Sequence, residues 1–518
     1  MDKIKILWAD DEMEYLKPQL FFLEKKGYQV DTVTNGHDAL DRLKEDKNYD
    51  VIFLDESMPG ITGLETLAKI QAMDISIPVV MVTKNEAENI MDDAIGGQIA
   101  DYLIKPVNPN QILLTLKKLI DNKRLISEKN TQSYQQAFRH LFMQISDSSS
   151  FEDWVNVYKK LIQWELKMDQ GGDAEIQDIL SNQKHEANNE FSKFIVHNYS
   201  NWFLDKATKP LMSHKLLLEK LFPHIKDDVP TVFVLLDNLR YDQWKVIEPL
   251  ITENYRIEEE DYFYSILPTT TQYSRNAIFA GMLPAEIEKF YPDWWLNDND
   301  EGGKNMKEPD LLTQQIKRTI RREIKFNYFK ITNANLAKSM LDASHEMLQN
   351  NLTVIVYNFI DMLSHARTEM EVLKELASDE KAYRSLTRSW FTHSPLWALL
   401  QKLSEHKIQL IIATDHGTIR VKEASKVVGD RETTTNLRYK VGKNLQYDKK
   451  DILEIKEPHK VGLPRPNVSS TFIFARENKY FLYPNNYNYF LNYYKNTFQH
   501  GGISMEEMIC PVIRLRSK

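Results

Sequence analysis

The stretch Val51-Ile52-Phe53-Leu54-Asp55-Glu56-Ser57-Met58-Pro59-Gly60 runs four apolar residues into an acidic one and closes on turn formers. A short continuous apolar run bounded by turn residues fits a strand buried on both faces, as in a parallel sheet. Reading outward, the pattern repeats. Strand-like segments stand at Ile4–Trp8, Val30–Val33, Val79–Val82 and Tyr102–Ile104, with helical patterns at Glu14–Lys26 and from Gly36. This alternation predicts β-α-β units and a doubly wound parallel sheet covered on both faces.

Polar residues gather where those strands end: Asp10-Asp11 after the first, Asp55 after the third, Thr83 after the fourth, Lys105-Pro106 after the fifth. In open α/β sheets the carboxyl edge is where ligands bind. Three carboxylates held together there repel one another unless a hard cation such as Mg2+ lies between them. Asp55 is then placed to accept a phosphoryl group while Mg2+ and the Lys105 ammonium neutralise the developing charge.

Ala-Asp-Asp-Glu at 9–12, Asp-Glu-Ser-Met-Pro-Gly at 55–60, Val-Thr at 82–83 and Tyr-Leu-Ile-Lys-Pro at 102–106 resemble the response-regulator receiver family in order and spacing. The resemblance implies that Asp10, Asp11, Asp55 and the main-chain carbonyl of Ser57 hold the metal. It implies that Thr83 and Tyr102 change conformation on phosphorylation, and that a cognate sensor histidine kinase acts on Asp55. A charge change at Asp55 must bias a bistable element to be felt elsewhere, so phosphorylation is expected to drive a homodimer through the face near Tyr102.

A chain of 518 residues exceeds what one hydrophobic core supports. A composition 42% hydrophobic and 27% charged is that of a folded soluble protein, and no apolar run approaches the ~20 residues that cross a bilayer. The N-terminus enters a strand pattern directly, without the apolar stretch and cleavage site of an export signal, so a cytoplasmic location is expected. The single cysteine, Cys510, excludes an internal disulfide framework and reads as a small core hydrophobe. The net charge of −8 gives no overall attraction to nucleic-acid backbones.

Three domains are predicted: residues 1–122, the receiver-like sheet; 123–228, an all-α middle; and 229–518, a second α/β region. The middle carries helical periodicity marked by Trp154, Leu161, Trp164, Ile179, Phe191, Phe194, Ile195, Trp202 and Phe203, with breaks near Ser146–Ser150, Gly171-Gly172 and Lys209-Pro210. His185, His197 and His214 there read as structural or exposed. Strands resume at Thr231–Leu236, Ile257–Tyr264, Thr353–Ile360, Gln409–Ala413 and Ser470–Ala475, and Gly429–Lys456 reads as a polar excursion from the core.

Three strand ends in this last region are acidic: Asp237, Asp361 and Asp415. His365 lies one helical turn beyond Asp361, His416 directly follows Asp415, and His500 stands in a Gly-rich turn. Three carboxylates and three imidazoles, with Thr271 added, are too many ligands for one tetrahedral Zn2+ and suffice for two. Mixed His and Asp ligation suits Zn2+ or another borderline first-row metal, and paired metals stabilise both attacking and leaving oxygens in phosphoryl displacement.

Leu267-Pro268-Thr269-Thr270-Thr271-Gln272-Tyr273-Ser274-Arg275-Asn276 reads as a loop opening into a helix, whose N-terminal amides favour an anion. This segment resembles the nucleophile loop of the alkaline phosphatase superfamily, and His500-Gly-Gly-Ile-Ser-Met-Glu-Glu-Met-Ile-Cys-Pro-Val-Ile resembles the closing motif of its PglZ branch. The resemblance implies that Thr271 is the nucleophile. It also implies that Asp237, Thr271, Asp415 and His416 hold one Zn2+, and Asp361, His365 and His500 the other. A threonine nucleophile resembles the phosphodiesterase branch, implying a nucleotide or oligonucleotide substrate and a covalent phospho-threonine. Arg275 and Asn276 are candidates for the nonbridging oxygens, and the basic residues Arg438 and Lys440, with Lys443, Lys460 and Arg465, for a groove binding the nucleotide.

The three-part order as a whole resembles response regulators associated with type IX secretion. That implies as partners an alternative sigma factor or a secretion-motor protein. Two other readings stand beside the enzyme: a phosphorylation-gated binding module with a vestigial metal site, and a DNA-binding regulator acting through the basic excursion.

Overall fold

The computed structural model describes residues 4–46, 48–73, 77–84, 99–171, 174–204, 208–369, 379–430 and 433–518, and the side chains of 120–129, 174 and 365–369 lie outside that description. The chain divides into two compact units, residues 1–135 with 170–174, and residues 136–169 with 175–518.

In the first unit, strands β1 (Lys5–Ala9), β2 (Gln29–Val33), β3 (Val51–Asp55), β4 (Val79–Thr83) and β5 (Asp101–Ile104) form a parallel sheet of order β2-β1-β3-β4-β5. Successive side chains on a strand point to opposite faces. Leu7, Ala9, Ile52, Leu54 and Met81 therefore build one core layer, while Ile6, Trp8, Phe53, Val80 and Val82 build the other. This is why β1, β3 and β4 read as unbroken apolar runs. Helix Gly63–Ala72 is capped by Thr62 and Glu65 in a reciprocal capping box. A Cβ at Gly63 would lie 2.5 Å from the Asp55 carbonyl oxygen, so glycine lets this helix start against the end of β3.

The second unit is built on a six-stranded mixed sheet. Its strands are β6 (Thr231–Leu236), β7 (Tyr255–Tyr264), β8 (Phe326–Ile331), β9 (Leu352–Tyr357), β10 (Gln409–Ala413) and the C-terminal Ile509–Ser517. Strand β6 lies parallel between β10 and β9, and Ile509–Ser517 runs antiparallel between β10 and β7. The acid-bearing ends of β6 and β10 thus emerge side by side.

Two sequence expectations are corrected. The expected strand Thr353–Ile360 ends at Tyr357, and Asp361 sits in the first turn of helix Phe359–Glu369. The excursion Gly429–Lys456 contributes strands Tyr439–Gly442 and Ile452–Ile455 to a three-stranded antiparallel sheet with Thr471–Ala475. Its apolar residues are few, but Tyr439, Val441, Ile452, Leu453 and Ile455 are all buried.

Helices Phe151–Asp169 and Ala174–Asn198 supply the expected helical texture, and from Glu175 the latter packs within the second unit. Trp154 meets Phe191 edge to face at 5.5 Å, and Trp202 meets Tyr264 of β7 at 5.6 Å. The Tyr199 hydroxyl accepts the amide of Leu267 at 2.8 Å, just ahead of the Thr-rich loop. Ile179 departs from the expected apolar role and is exposed.

His185 and His197 are exposed. His214 is partly buried with Nδ1 enclosed and unpartnered, and burial, with the charges of Lys215 and Lys209, lowers its pKa to about 3. The unfolded chain then binds a proton near pH 6.5 that the folded chain refuses. Stability contributed by neutral His214 is present above pH 6.5 and is lost as pH falls toward 3. Urea unfolding from pH 7 to 5 is expected to show a shallower loss of stability in His214→Leu than in the wild type; parallel curves would contradict this.

Candidate functional site

At the carboxyl edge of the first sheet, ligand atoms of Asp10, Asp11 and Asp55 lie within 4.8 Å of one another, with Asp10 and Asp55 buried and Asp11 exposed. Lys105 Nζ bridges them, 2.8 Å from Asp10 Oδ2 and 3.0 Å from Asp55 Oδ2. Burial raises the Asp55 pKa, Asp10 and Asp11 add to the rise, and Lys105 opposes it. Ser57 is exposed two residues beyond Asp55, Thr83 is buried at the end of β4, and Tyr102 on β5 is 40% exposed.

Sequence reasoning gave no role to Glu12 or Lys84. The Glu12 amide donates to Asp10 Oδ1 at 2.9 Å, and its carboxylate lies 2.6 Å from Lys84 Nζ and 3.7 Å from Lys105 Nζ. A third acid beside an Asp-Asp pair is the signal that could have drawn attention to Glu12.

In the second unit, Asp237 follows β6 directly, Asp415 and His416 follow β10, and Thr271 opens a helical stretch through Ala280. Thr271 Oγ1 stands 3.3 Å from Asp237 Oδ1 and 3.2 Å from His416 Nε2. Ligand atoms of Asp237, Asp415 and His416 gather within 4.8 Å, all three residues fully buried. His500 Nε2 lies 3.6 Å from Asp361 Oδ1, and the His500 ring stacks on His416 with centroids 4.4 Å apart. The side chain of His365 lies outside the described residues.

Asn238, which sequence reasoning missed, joins the two halves. Its amide donates to Asp415 Oδ1 at 3.2 Å, and its side-chain Nδ2 to Asp361 Oδ1 at 3.3 Å and Ser364 Oγ at 3.2 Å. Its φ of 66° is one that Asn tolerates better than most residues.

Backbone carbonyls set both imidazoles. His416 Nδ1 lies 3.1 Å from Gly417 O, and His500 Nδ1 lies 3.3 Å from Thr269 O. Only a protonated nitrogen can donate to a carbonyl, so each Nδ1 carries the hydrogen and each Nε2 keeps its lone pair toward the carboxylates. Burial holds the His416 pKa down, keeping the ring neutral. Asp415 Oδ2 is buried without a hydrogen bond, and burial beside Asp237 pushes the Asp415 pKa well up. Asp237 goes the other way: burial opposes its charge, but the Arg275 guanidinium 2.6 Å away outweighs it. Neutral imidazole nitrogens, clustered carboxylates and an unpartnered buried oxygen fit a divalent metal of borderline softness.

The four predicted substrate contacts are corrected. Arg275 is buried, with Nη1 2.6 Å from Asp237 Oδ2 and Nε 2.6 Å from Glu308 Oε1, so its guanidinium is committed to protein carboxylates. Asn276 is buried, donating to Lys304 O at 3.0 Å. Arg438 is buried and paired with Glu507 at 2.6 Å. Lys440 is buried, donates to Thr434 O at 2.9 Å and lies 4.4 Å over the Tyr483 ring, with its pKa lowered to about 7 by burial. These two cations serve the small sheet rather than a nucleotide groove.

Among the described residues no helix is long and apolar enough to cross a membrane. Residues 6–117 match the response regulator receiver domain, 124–203 the PorX response regulator linker domain, and 216–515 the BREX system PglZ alkaline phosphatase-like domain. The transcriptional regulatory protein ResD of Bacillus subtilis (strain 168) is 34% identical over 120 residues, covering 23% of this chain and 49% of ResD. ZraR of Klebsiella oxytoca is 30% identical over 132 residues, covering 26% of this chain and 30% of ZraR. The chain thus spans less than half the length of these two curated relatives. The solved chemotaxis protein CheY4 of Vibrio cholerae is 26% identical, covering 23% of this chain and all of CheY4, at a TM-score of 0.22. With its last match spanning most of the second unit, the chain belongs to the PglZ alkaline phosphatase-like family, in the PorX arrangement of receiver, linker and phosphatase-like end.

Proposed function

We propose that this chain is a cytoplasmic response regulator, phosphorylated on Asp55 by a cognate sensor histidine kinase, whose output domain is a zinc-dependent phosphodiesterase acting on nucleotides or oligonucleotides. Its domains are taken as 1–122, 123–228 and 229–518. Asp10, Asp11, Asp55 and the Ser57 carbonyl hold Mg2+. Asp237, Thr271, Asp415 and His416 hold one Zn2+, and Asp361, His365 and His500 the other. The place of Thr271 Oγ1 between Asp237 and His416, at the opening of a helical stretch, carries this reading.

Bound zinc would lower the hydroxyl pKa and offset charge on the entering and departing oxygens. The protein groups do the rest. Asp237 orients the Thr271 hydroxyl and is itself fixed by Arg275. Thr271 Oγ1 releases its proton to solvent and forms the new bond to phosphorus as the bond to the ester oxygen breaks, and that oxygen takes a proton from water and leaves as the alcohol. Water then cleaves the phospho-threonine, returning the hydroxyl. At the receiver, the phosphoryl group passes from the kinase histidine to an Asp55 oxygen while Lys105 remains as its counter-charge. Phosphorylation is taken to favour a homodimer through the Tyr102 face, with Thr83 and Lys105 reporting the new charge. A role in type IX secretion, through an alternative sigma factor or a motor protein, completes the reading.

Zinc content is measured beside hydrolysis of bis(p-nitrophenyl) phosphate and p-nitrophenyl phosphate. About two zinc ions per chain are expected, with diester preferred and turnover reduced at least about 100-fold in Thr271→Val. Zinc without turnover would leave a phosphorylation-gated binding module, and no zinc would overturn the ligand assignment. Acetyl phosphate with Mg2+ is expected to add one phosphoryl group to the wild type and none to Asp55→Asn. Sedimentation should shift to a dimer only in the modified sample, and an unchanged sedimentation coefficient in phosphorylated protein would refute the dimer.

A further inference from the structure

The four-residue turn Met505–Met508 has no place in the metal site, yet it touches both histidine-bearing turns. On one side it meets the helix Ala174–Asn198. Lys184 Nζ lies 3.1 Å from Glu506 Oε1, and Asn188, one helical turn on, donates to Glu506 Oε2 at 2.9 Å while accepting the Met505 amide at 2.9 Å. Lys184, Asn188 and Glu506 are each at most 8% exposed. Lys184 also lies 3.1 Å from Glu165 on the neighbouring helix.

On the other side the turn holds the site. The Gly417 amide donates to the Glu507 carbonyl at 3.2 Å. A Cβ on Gly417 would come within 2.0 Å of the Glu506 carbonyl oxygen, so the turn that follows Asp415 and His416 is pressed against this backbone. The Glu507 carboxylate accepts the Gly502 amide at 2.9 Å, two residues after His500. Met508 O accepts the Ser265 amide at 2.8 Å, and the Ser265 hydroxyl donates to Asp415 O at 2.8 Å.

We infer that Lys184 and Asn188, through their grip on Met505 and Glu506, are positioning residues that set the spacing of His416 and His500. The grip is two-handed, so a shift of the helix past Glu506 moves Gly417 and Gly502 together. Neither residue touches substrate or ligates metal. The inference rests on the proposed metal site for its catalytic meaning, but its mechanical content does not. Buried charges joined across 322 residues of sequence favour a defined arrangement, since a slip by one turn leaves Glu506 buried and unpaired.

The test uses the full chain carrying Lys184→Met with Glu506→Gln, which removes one buried charge of each sign, beside Lys184→Arg. Amide exchange at Gly417 and Gly502 is expected to quicken at least tenfold in the double variant while the amides of β6 keep their rates. Zinc affinity, by competition with a chromophoric chelator, is expected to fall at least tenfold, and Lys184→Arg should restore most of both. If the double variant does not fold, Asn188→Ser, which removes hydrogen bonds without a charge, should give the same changes about threefold in size. A folded variant with wild-type exchange at both glycines overturns the inference. Wild-type protein that takes up no zinc defeats the proposed function instead, and glycine exchange still decides the positioning role.

Discussion

Asp237 and Asp415 stand together at the carboxyl edge of the larger sheet, fully buried, with ligand oxygens within 4.8 Å. Two unit charges about 4 Å apart repel by roughly 4 kcal/mol at an effective dielectric of ~20. The fold offers Arg275 against them, but that guanidinium also serves Glu308. Even with Lys330 Nζ 3.0 Å from Glu308, two positive charges face three acids, which leaves a deficit. The protein resolves it by raising the Asp415 pKa, and a divalent ion would resolve it by reversing the local sign. Much of the surrounding structure follows from keeping these carboxylates apart from water and close to each other: the parallel β10-β6-β9 arrangement, the Asn238 bridge, and the two imidazoles aimed by backbone carbonyls.

The smaller sheet meets the same difficulty with a movable charge. Asp10 and Asp55 share Lys105, an ammonium on a flexible stem, and Glu12 draws in Lys84 at the margin. An ammonium can follow a new phosphoryl oxygen, whereas the Arg275 fork is locked between two carboxylates. One edge holds its acids with a flexible ammonium and the other with a fixed guanidinium.

How much of this was legible depended on how local the signal was. The strands of the first sheet are apolar because they are buried on both faces, so periodicity found them to within a residue or two. Asp237, Asp415 and His416 were legible as strand ends because β6 and β10 carry the same run. Asp361 was singled out as a candidate ligand but placed on a strand, since Phe359-Ile360 continues the apolar texture after the backbone has turned into a helix. Arg438 and Lys440 misled because charge in a polar segment reads as surface, while Glu507 and Tyr483, the partners that allow burial, lie 69 and 43 residues away. Asn238 and Lys184 left no mark at all: one works through an unusual φ, the other through a partner 322 residues on.

Glycines next to His416 and His500 follow from this geometry. Gly417 must admit the Glu506 carbonyl, and Gly501, at φ 121°, turns the chain so that its amide reaches Thr269 Oγ1 at 3.0 Å. The same Thr269 offers its carbonyl to His500 Nδ1 and donates its hydroxyl to Gly502 O. One threonine, two residues ahead of Thr271, therefore fixes the imidazole and the turn that carries it. The Thr-rich loop and the His500 turn are a single hydrogen-bonded unit, so Thr271 cannot drift relative to His500 without breaking three bonds around Thr269. Under the proposed function, preorganisation of that kind would serve Thr271, whose oxygen must meet phosphorus along one line.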